Sequence, residues 1–166
     1  MIPFVTVPEN SKTLIQLHFM IKTALITGAT SGIGKATATL LAQNNFKIVL
    51  CGRRKDRLEA LEKELSAFTA VHHLCFDVRD KKSVFESIAS LPEAFSDIDI
   101  LVNNAGNAHG LDSIQNGDMD DWDAMIDINV KGLLYVSKAI IPKMIAKESG
   151  HIINIGSIAG KEVYPN

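Results

Sequence analysis

The sequence predicts an α/β protein built on a doubly wound parallel sheet, and three observations carry that expectation. Short apolar runs of four to six residues recur from Thr23 to Ile155. Stretches with apolar residues three and four apart, the mark of amphipathic helices, lie between them. A glycine-rich turn also joins the first run to the first helical stretch. Parallel strands need long crossover connections, and helices of this length supply them on both faces of a sheet.

The elements follow in order. Thr23–Thr27 reads as a buried strand, and "GKATATLLAQNN" as the helix after it, with Ala38, Leu41 and Ala42 on one face. Phe46–Cys51 is a second strand. "DRLEALEKELSAF" sets Leu58, Leu61, Leu65 and Phe68 on one helical stripe. His73–Phe76 is a third strand, followed by a helix through Val84, Phe85 and Ile88 that meets Pro92. Ile98–Val102 is the fourth strand. A long helical stretch runs from about Met119 to Lys147, interrupted after Asp127–Asn129 or bent near Pro142. His151–Ile155 closes the series. There is no internal repeat, low-complexity tract or linker from Met20 onward.

With 166 residues the chain is long enough for one domain with a sizeable core. Its 46% hydrophobic and 22% charged residues are a globular balance, not a disordered one. Seventeen basic against 19 acidic residues give a net charge of −2, which argues against nucleic acid as a partner. Cys51 and Cys75 lie in apolar runs and are expected to be buried, reduced thiols. Residues 1–19 lack a basic start, a continuous apolar stretch and a small-residue cleavage site, so they make a poor signal peptide. They are also too short and polar to span a membrane, and a cytoplasmic location is expected. Met20 opens directly into the first strand, which suggests either a natural start there, with residues 1–19 not native, or a loosely held N-terminal extension over residues 1–19. The alternative is an ordered extra strand through Phe4, Val5 and Val7.

"TGATSGIG" carries Gly28, Gly32 and Gly34 between the first strand and the first helix. Helix N-terminal amides are unpaired and the helix dipole favours an anion there. Glycines let the backbone turn tightly and approach a pyrophosphate, so the turn reads as a dinucleotide site. The end of the second strand then chooses the dinucleotide, because an acid there binds ribose hydroxyls and repels a 2′-phosphate. Here "LCGRRKDRL" has no carboxylate before Asp56 and puts Arg53 and Arg54 in its place. Guanidinium groups hold phosphate by paired, charged hydrogen bonds, so the expected cofactor is NADP(H).

"TGATSGIG", "NNAG" at Asn103–Gly106, Asn129, and "INIGS" ending at Ser157 stand in an order that resembles the short-chain dehydrogenase/reductase family, of Rossmann-like fold. The gaps between the glycines, three residues and then one, are similar to that family's. The longer wording from "LVNNAG" through "DWDAMIDINVKGLLYVSKAIIPKM" to "YPN" resembles its NADP-dependent 3-hydroxy acid, or serine, dehydrogenase branch. The resemblance implies cofactor contacts at Gly28, Thr30, Ser31, Gly32, Ile33 and Gly34, with Arg53 and Arg54 toward the phosphate. It implies adenine contacts at Asp77 and Val78, and a wall beside the adenosine ribose at Asn104, Ala105 and Gly106. Asn129 corresponds to the member of a catalytic tetrad that bends its helix and holds a proton-relay water. Ser157 corresponds to the serine that hydrogen-bonds the substrate oxygen.

The tetrad's tyrosine and lysine stand in a Tyr-x-x-x-Lys helix, where the lysine charge lowers the tyrosine pKa for proton transfer. Tyr164 is followed by Pro165 and Asn166 and is expected to be a loop residue ahead of that helix, not the base. The sequence is therefore expected to hold a C-terminally incomplete domain over residues 20–166, inactive by itself. The intact enzyme would transfer hydride between NADP(H) and a hydroxyl or carbonyl carbon of a small substrate, such as a 3-hydroxy acid, as a homo-oligomer, dimer or tetramer. A non-enzymatic dinucleotide-binding or partner-binding truncation product is the first rival. A nucleotide-sugar epimerase or dehydratase is the second, with a different glycine spacing. The acids Asp118, Asp120, Asp121 and Asp123 fit a helix start better than a calcium loop. His72, His73, His109 and His151 lack metal-ligand spacing, so no metal site is expected.

Overall fold

A computed structural model describes residues 21–110 and 112–162. The expectations for residues 1–19 and for Tyr164 lie outside the described residues. The chain runs β1 (Thr23–Thr27), α1 (Gly32–Gln43), β2 (Lys47–Gly52), α2 (Lys55–Leu65), β3 (Val71–Cys75) and α3 (Lys81–Ala89). It continues through β4 (Ile100–Asn103), α4 (Met119–Ile126), a π-helical segment (Asp127–Gly132), α5 (Leu133–Ala146) and β5 (His151–Asn154). The five strands form one sheet in the order β3-β2-β1-β4-β5, parallel at every pairing. This is the doubly wound arrangement, and β1 at its centre is buried at every residue.

Strand alternation assigns the two faces. Ala24 and Ile26 of β1 and Ile48 and Leu50 of β2 pack with Ala38 and Ala42 of α1 and Leu58, Leu61 and Leu65 of α2. Leu25, Val49 and Leu101 face the other way, onto Val84 and Ile88 of α3 and Val136, Ile140 and Met144 of α5. The small side chains of α1 let it lie close to the sheet beside the glycine loop.

Two local expectations change, and the long helical stretch takes the first of its two expected forms. α2 stops at Leu65, and Phe68 falls in the following turn, where it is 50% exposed instead of extending the leucine stripe. Cys75 is exposed, unlike buried Cys51, because Leu74 and Phe76 on either side of it take the inward positions on the outer strand β3. The long helical stretch is interrupted at Asp127–Gly132, while α5 continues through Pro142. The wider π turn lets the chain come close to Val78: a Cβ at Gly132 would stand 2.7 Å from a Val78 methyl. Asp118 caps α4 by accepting from the Asp120 amide at 2.8 Å, so the acidic run does serve a helix start.

Candidate active site

From β1 the chain leaves for α1 and builds β2 and β3 on one side, whereas β4 and β5 lie on the other. The strand order reverses between β1 and β4, and such a point opens a crevice at the carboxyl ends of the strands. A cleft of about 1090 Å³ lies there.

Thr27 organises its floor. Its side chain is buried, its hydroxyl donates to the Val102 carbonyl at 3.4 Å, and its oxygen accepts from the Asn104 and Ala105 amides at 3.0 Å each. Asn104 returns the link, donating from Nδ2 to the carbonyls of Thr27 at 2.9 Å and Gly28 at 3.2 Å. The NNAG segment and the glycine loop are thus clamped together. Gly28 has φ +64°, and a Cβ there would lie 2.9 Å from Asn104 Nδ2. Gly34 is buried, and a Cβ on it would collide with the same amide and with the Gly28 carbonyl.

The glycine loop forms one wall, through Gly28, Thr30, Ser31, Gly32 and Ile33. Gly34 alone of the glycine-loop residues singled out does not line the cleft; its place is the packing of α1 beneath it. Ser31 precedes α1 without capping it by its side chain, and the first turn holds no acid. The first amides of α1 therefore point out with no partner from the helix, a ready position for an anion.

Arg53 and Arg54 stand at the end of β2. Arg54 donates from Nη2 to Thr30 Oγ1 at 2.6 Å and to Ser31 Oγ at 3.2 Å, which spans the gap between β2 and the glycine loop. The Arg53 guanidinium makes no hydrogen bond among the described residues and stands in a longer ion pair, Nη1 3.6 Å from Asp77 Oδ2. Asp77 is gripped by Arg79: Nη2 donates to Oδ2 at 2.7 Å, Nε donates to both oxygens at 3.1 Å, and the Arg79 amide donates to Oδ1 at 3.0 Å. Burial alone would raise the Asp77 carboxyl, but the Arg79 hydrogen bonds and the charges of Arg79 and Arg53 outweigh it and hold it below the usual carboxylate range. Val78 lines the cleft beside it and packs into the core.

Asn104, Ala105, Gly106, Asn129 and Ser157 line the cleft as well. Asn129 sits within the π-helical segment, and both arms of its amide hold the Asn107 backbone: Oδ1 accepts from N–H at 2.9 Å and Nδ2 donates to C=O at 2.8 Å. The Ser157 oxygen accepts from the Ala159 amide at 3.1 Å, so its own proton remains available to a ligand oxygen. Sequence reasoning missed Thr27, Asn103, Asn107 and Asn154. Asn103 is buried and donates from Nδ2 to Ser137 Oγ at 3.0 Å and Asn154 Oδ1 at 2.9 Å, tying β4 to α5 and β5. A polar side chain closing an apolar strand was the available signal for Thr27, Asn103 and Asn154 alike. No group of three metal-ligating side chains occurs among the described residues. His73 pairs with Glu62 at 2.7 Å, and His109 lies 3.6 Å from Asp121.

A dinucleotide fits these residues on three structural observations. The first amides of α1 lack a helix partner, side chains at Gly28 and Gly34 would collide with the clamp that shapes the loop, and the end of β2 offers guanidinium groups and no carboxylate.

Fold and cleft together define a nucleotide-binding α/β domain with its site at the sheet's switch point. The family model for short chain dehydrogenases matches residues 22–166, and the chain belongs to that family. It is 46% identical over 140 residues to the NADP-dependent 3-hydroxy acid dehydrogenase YdfG of Salmonella typhi, a match covering 84% of this chain and 56% of that protein. It is 47% identical over 142 residues to sulfoacetaldehyde reductase 2 of Chromohalobacter salexigens, covering 85% and 56%. The closed form of serine dehydrogenase complexed with NADP+ superposes with a TM-score of 0.81 at 43% identity, over 86% of this chain and 57% of that one. The chain thus spans about half the length of the curated relatives it matches. No helix among the described residues is long and apolar enough to cross a membrane.

Proposed function

We propose that this chain is the nucleotide-binding portion of an NADP(H)-dependent oxidoreductase acting on a hydroxyl or carbonyl carbon of a small substrate, with a 3-hydroxy acid as the leading class. The single observation that carries the reading is the end of β2, where Arg53 and Arg54 face the cleft and no carboxylate precedes Asp56. The NADP dependence of the relatives supports it.

Bound NADP(H) would supply or accept the hydride. This chain's own residues do the rest of what is assigned here. The amides of Gly32 and Ile33 and the hydroxyls of Thr30 and Ser31 receive the phosphates, Arg53 and Arg54 the 2′-phosphate, and Asp77 and Val78 border the adenine. Asn104, Ala105 and Gly106 border the ribose. Ser157 donates a hydrogen bond to the substrate oxygen, an oxygen whose charge changes during hydride transfer. Asn129 pins the segment after β4 against the π turn and so sets the shape of the mouth.

The 166 residues contain no Tyr-x-x-x-Lys. We therefore assign turnover to a protein that carries this segment together with that motif, and binding without turnover to the 166 residues alone. Ile126, Val130 and Leu134, four residues apart and each about half exposed, support assembly into a dimer or tetramer.

The test is NADPH oxidation by the full-length protein with a panel of small 3-oxo acids and aldehydes. Oxidation that depends on the carbonyl compound is expected. Failure to oxidise NADPH with any of them, by a protein that melts cooperatively, would overturn the enzymatic reading.

A further inference from the structure

The cleft's positive end contains one negative group. Asp77 lines the cleft, and its Oδ2 is 3.6 Å from Arg53 Nη1. A carboxylate so placed acts on an incoming 2′-phosphate in two harmful ways: it repels the phosphate directly, and it competes for the guanidinium that would bind it. Arg79 stands outside the cleft lining and cannot be assigned a ligand contact there, yet it grips both oxygens of Asp77 through Nε and Nη2 and adds its backbone amide. The shorter, better-directed contacts all go to Arg79. Arg53 is left beyond hydrogen-bond distance, in a 3.6 Å ion pair only.

We propose that Arg79 is a positioning residue for cofactor choice: by engaging the Asp77 carboxylate, it keeps Arg53 available to a 2′-phosphate and neutralises the charge that would oppose one. The inference rests on the NADP(H) reading and extends it to a residue that touches no cofactor. Asp127, the other acid near Arg79, is taken up by Lys131 at 2.7 Å, which leaves Asp77 as the hydrogen-bonded partner of Arg79.

The experiment measures the affinities of the full-length protein for 2′-phospho-AMP and for AMP by titration calorimetry, and follows their ratio. Unmodified protein should favour the 2′-phosphate. Arg79→Ala should reduce that preference about tenfold, chiefly by weakening 2′-phospho-AMP binding, a change of the size expected when one charged contact is lost. Arg79→Ala combined with Asp77→Asn should restore the preference, because the uncompensated charge is gone. Arg79→Lys keeps a charge without the paired grip and should lie between, which also provides a reading should the alanine variant fail to fold. An unchanged ratio in Arg79→Ala or Arg79→Lys would overturn the inference, as would equal weakening of both ligands or a double variant that stays as poor as the single one. An unmodified protein that binds AMP as tightly as 2′-phospho-AMP would instead overturn the NADP(H) reading beneath it.

Discussion

The N-termini of α1 and α3 meet opposite ends of the same physical problem. α3 begins at Asp80, whose carboxylate accepts from the Ser83 amide at 3.2 Å, so the helix carries its own anion. α4 does likewise with Asp118. α1 begins with glycines, has no acid in its first turn, and gives its flanking Ser31 hydroxyl to Arg54 instead of to its own amides. A helix that only has to end is satisfied internally; a helix that faces the cleft is left with donors to offer. The contrast locates the site without reference to any ligand.

The comparison can be broken most severely at Gly34. Gly34→Val places a branched side chain where a Cβ already collides with the Gly28 carbonyl and Asn104, and should cost about 2–4 kcal/mol of stability. Chemical denaturation of the full-length protein checks it. The equivalent burden at Gly156, where nothing lies within 4 Å, should cost far less.

The catalytic end sharpens the comparison from the other side. Ser157→Ala removes the hydroxyl proposed to meet the substrate oxygen and should lower turnover about 10²–10³-fold while leaving NADPH affinity near its original value. Steady-state kinetics alongside nucleotide titration separates the two. Loss of nucleotide binding in that variant would contradict the role assigned to Ser157.

A third change concerns a helix that carries its own anion. Asp80→Ala deletes the cap of α3 and should lower stability by about 1 kcal/mol with no effect on nucleotide affinity. Denaturation and titration on the same sample test that separation.

The smallest effect is expected from Asp77. Its folded pKa lies below the ordinary carboxylate value, so the ionised form contributes stability above the unfolded pKa near 4, and that stability fades as pH falls through the folded value. Being partly exposed, the group should contribute no more than about 1 kcal/mol. Melting curves from pH 7 downward should show Asp77→Asn losing less stability on acidification than the unmodified protein.

Much of the fold was legible because periodicity and strand–helix alternation are local. Strand boundaries shifted by at most two residues, as at β4, where Ile98 is buried but precedes Ile100–Asn103. Most of the site residues singled out from motifs line one cleft, and Gly34 lies beneath it. What escaped was the wiring between distant positions. Thr27 meets Asn104 across 77 residues of sequence, and Asn129 meets Asn107 across 22. Nothing in either segment alone specifies such a partner. Cys75 was misplaced for a related reason: an apolar run does not reveal which of its positions the sheet turns outward.

The claim that the end of β2, beside the open end of α1, selects a dinucleotide with a 2′-phosphate is tested most directly by the affinities of full-length protein for NADPH and NADH, with and without Arg53→Ala and Arg54→Ala. The expected result is tighter binding of NADPH by at least tenfold, erased in the double variant with NADH affinity little changed, since each charged hydrogen bond contributes roughly 1.5–3 kcal/mol. Equal affinity for the two nucleotides in the unmodified protein, or a double variant that still prefers NADPH, would contradict it.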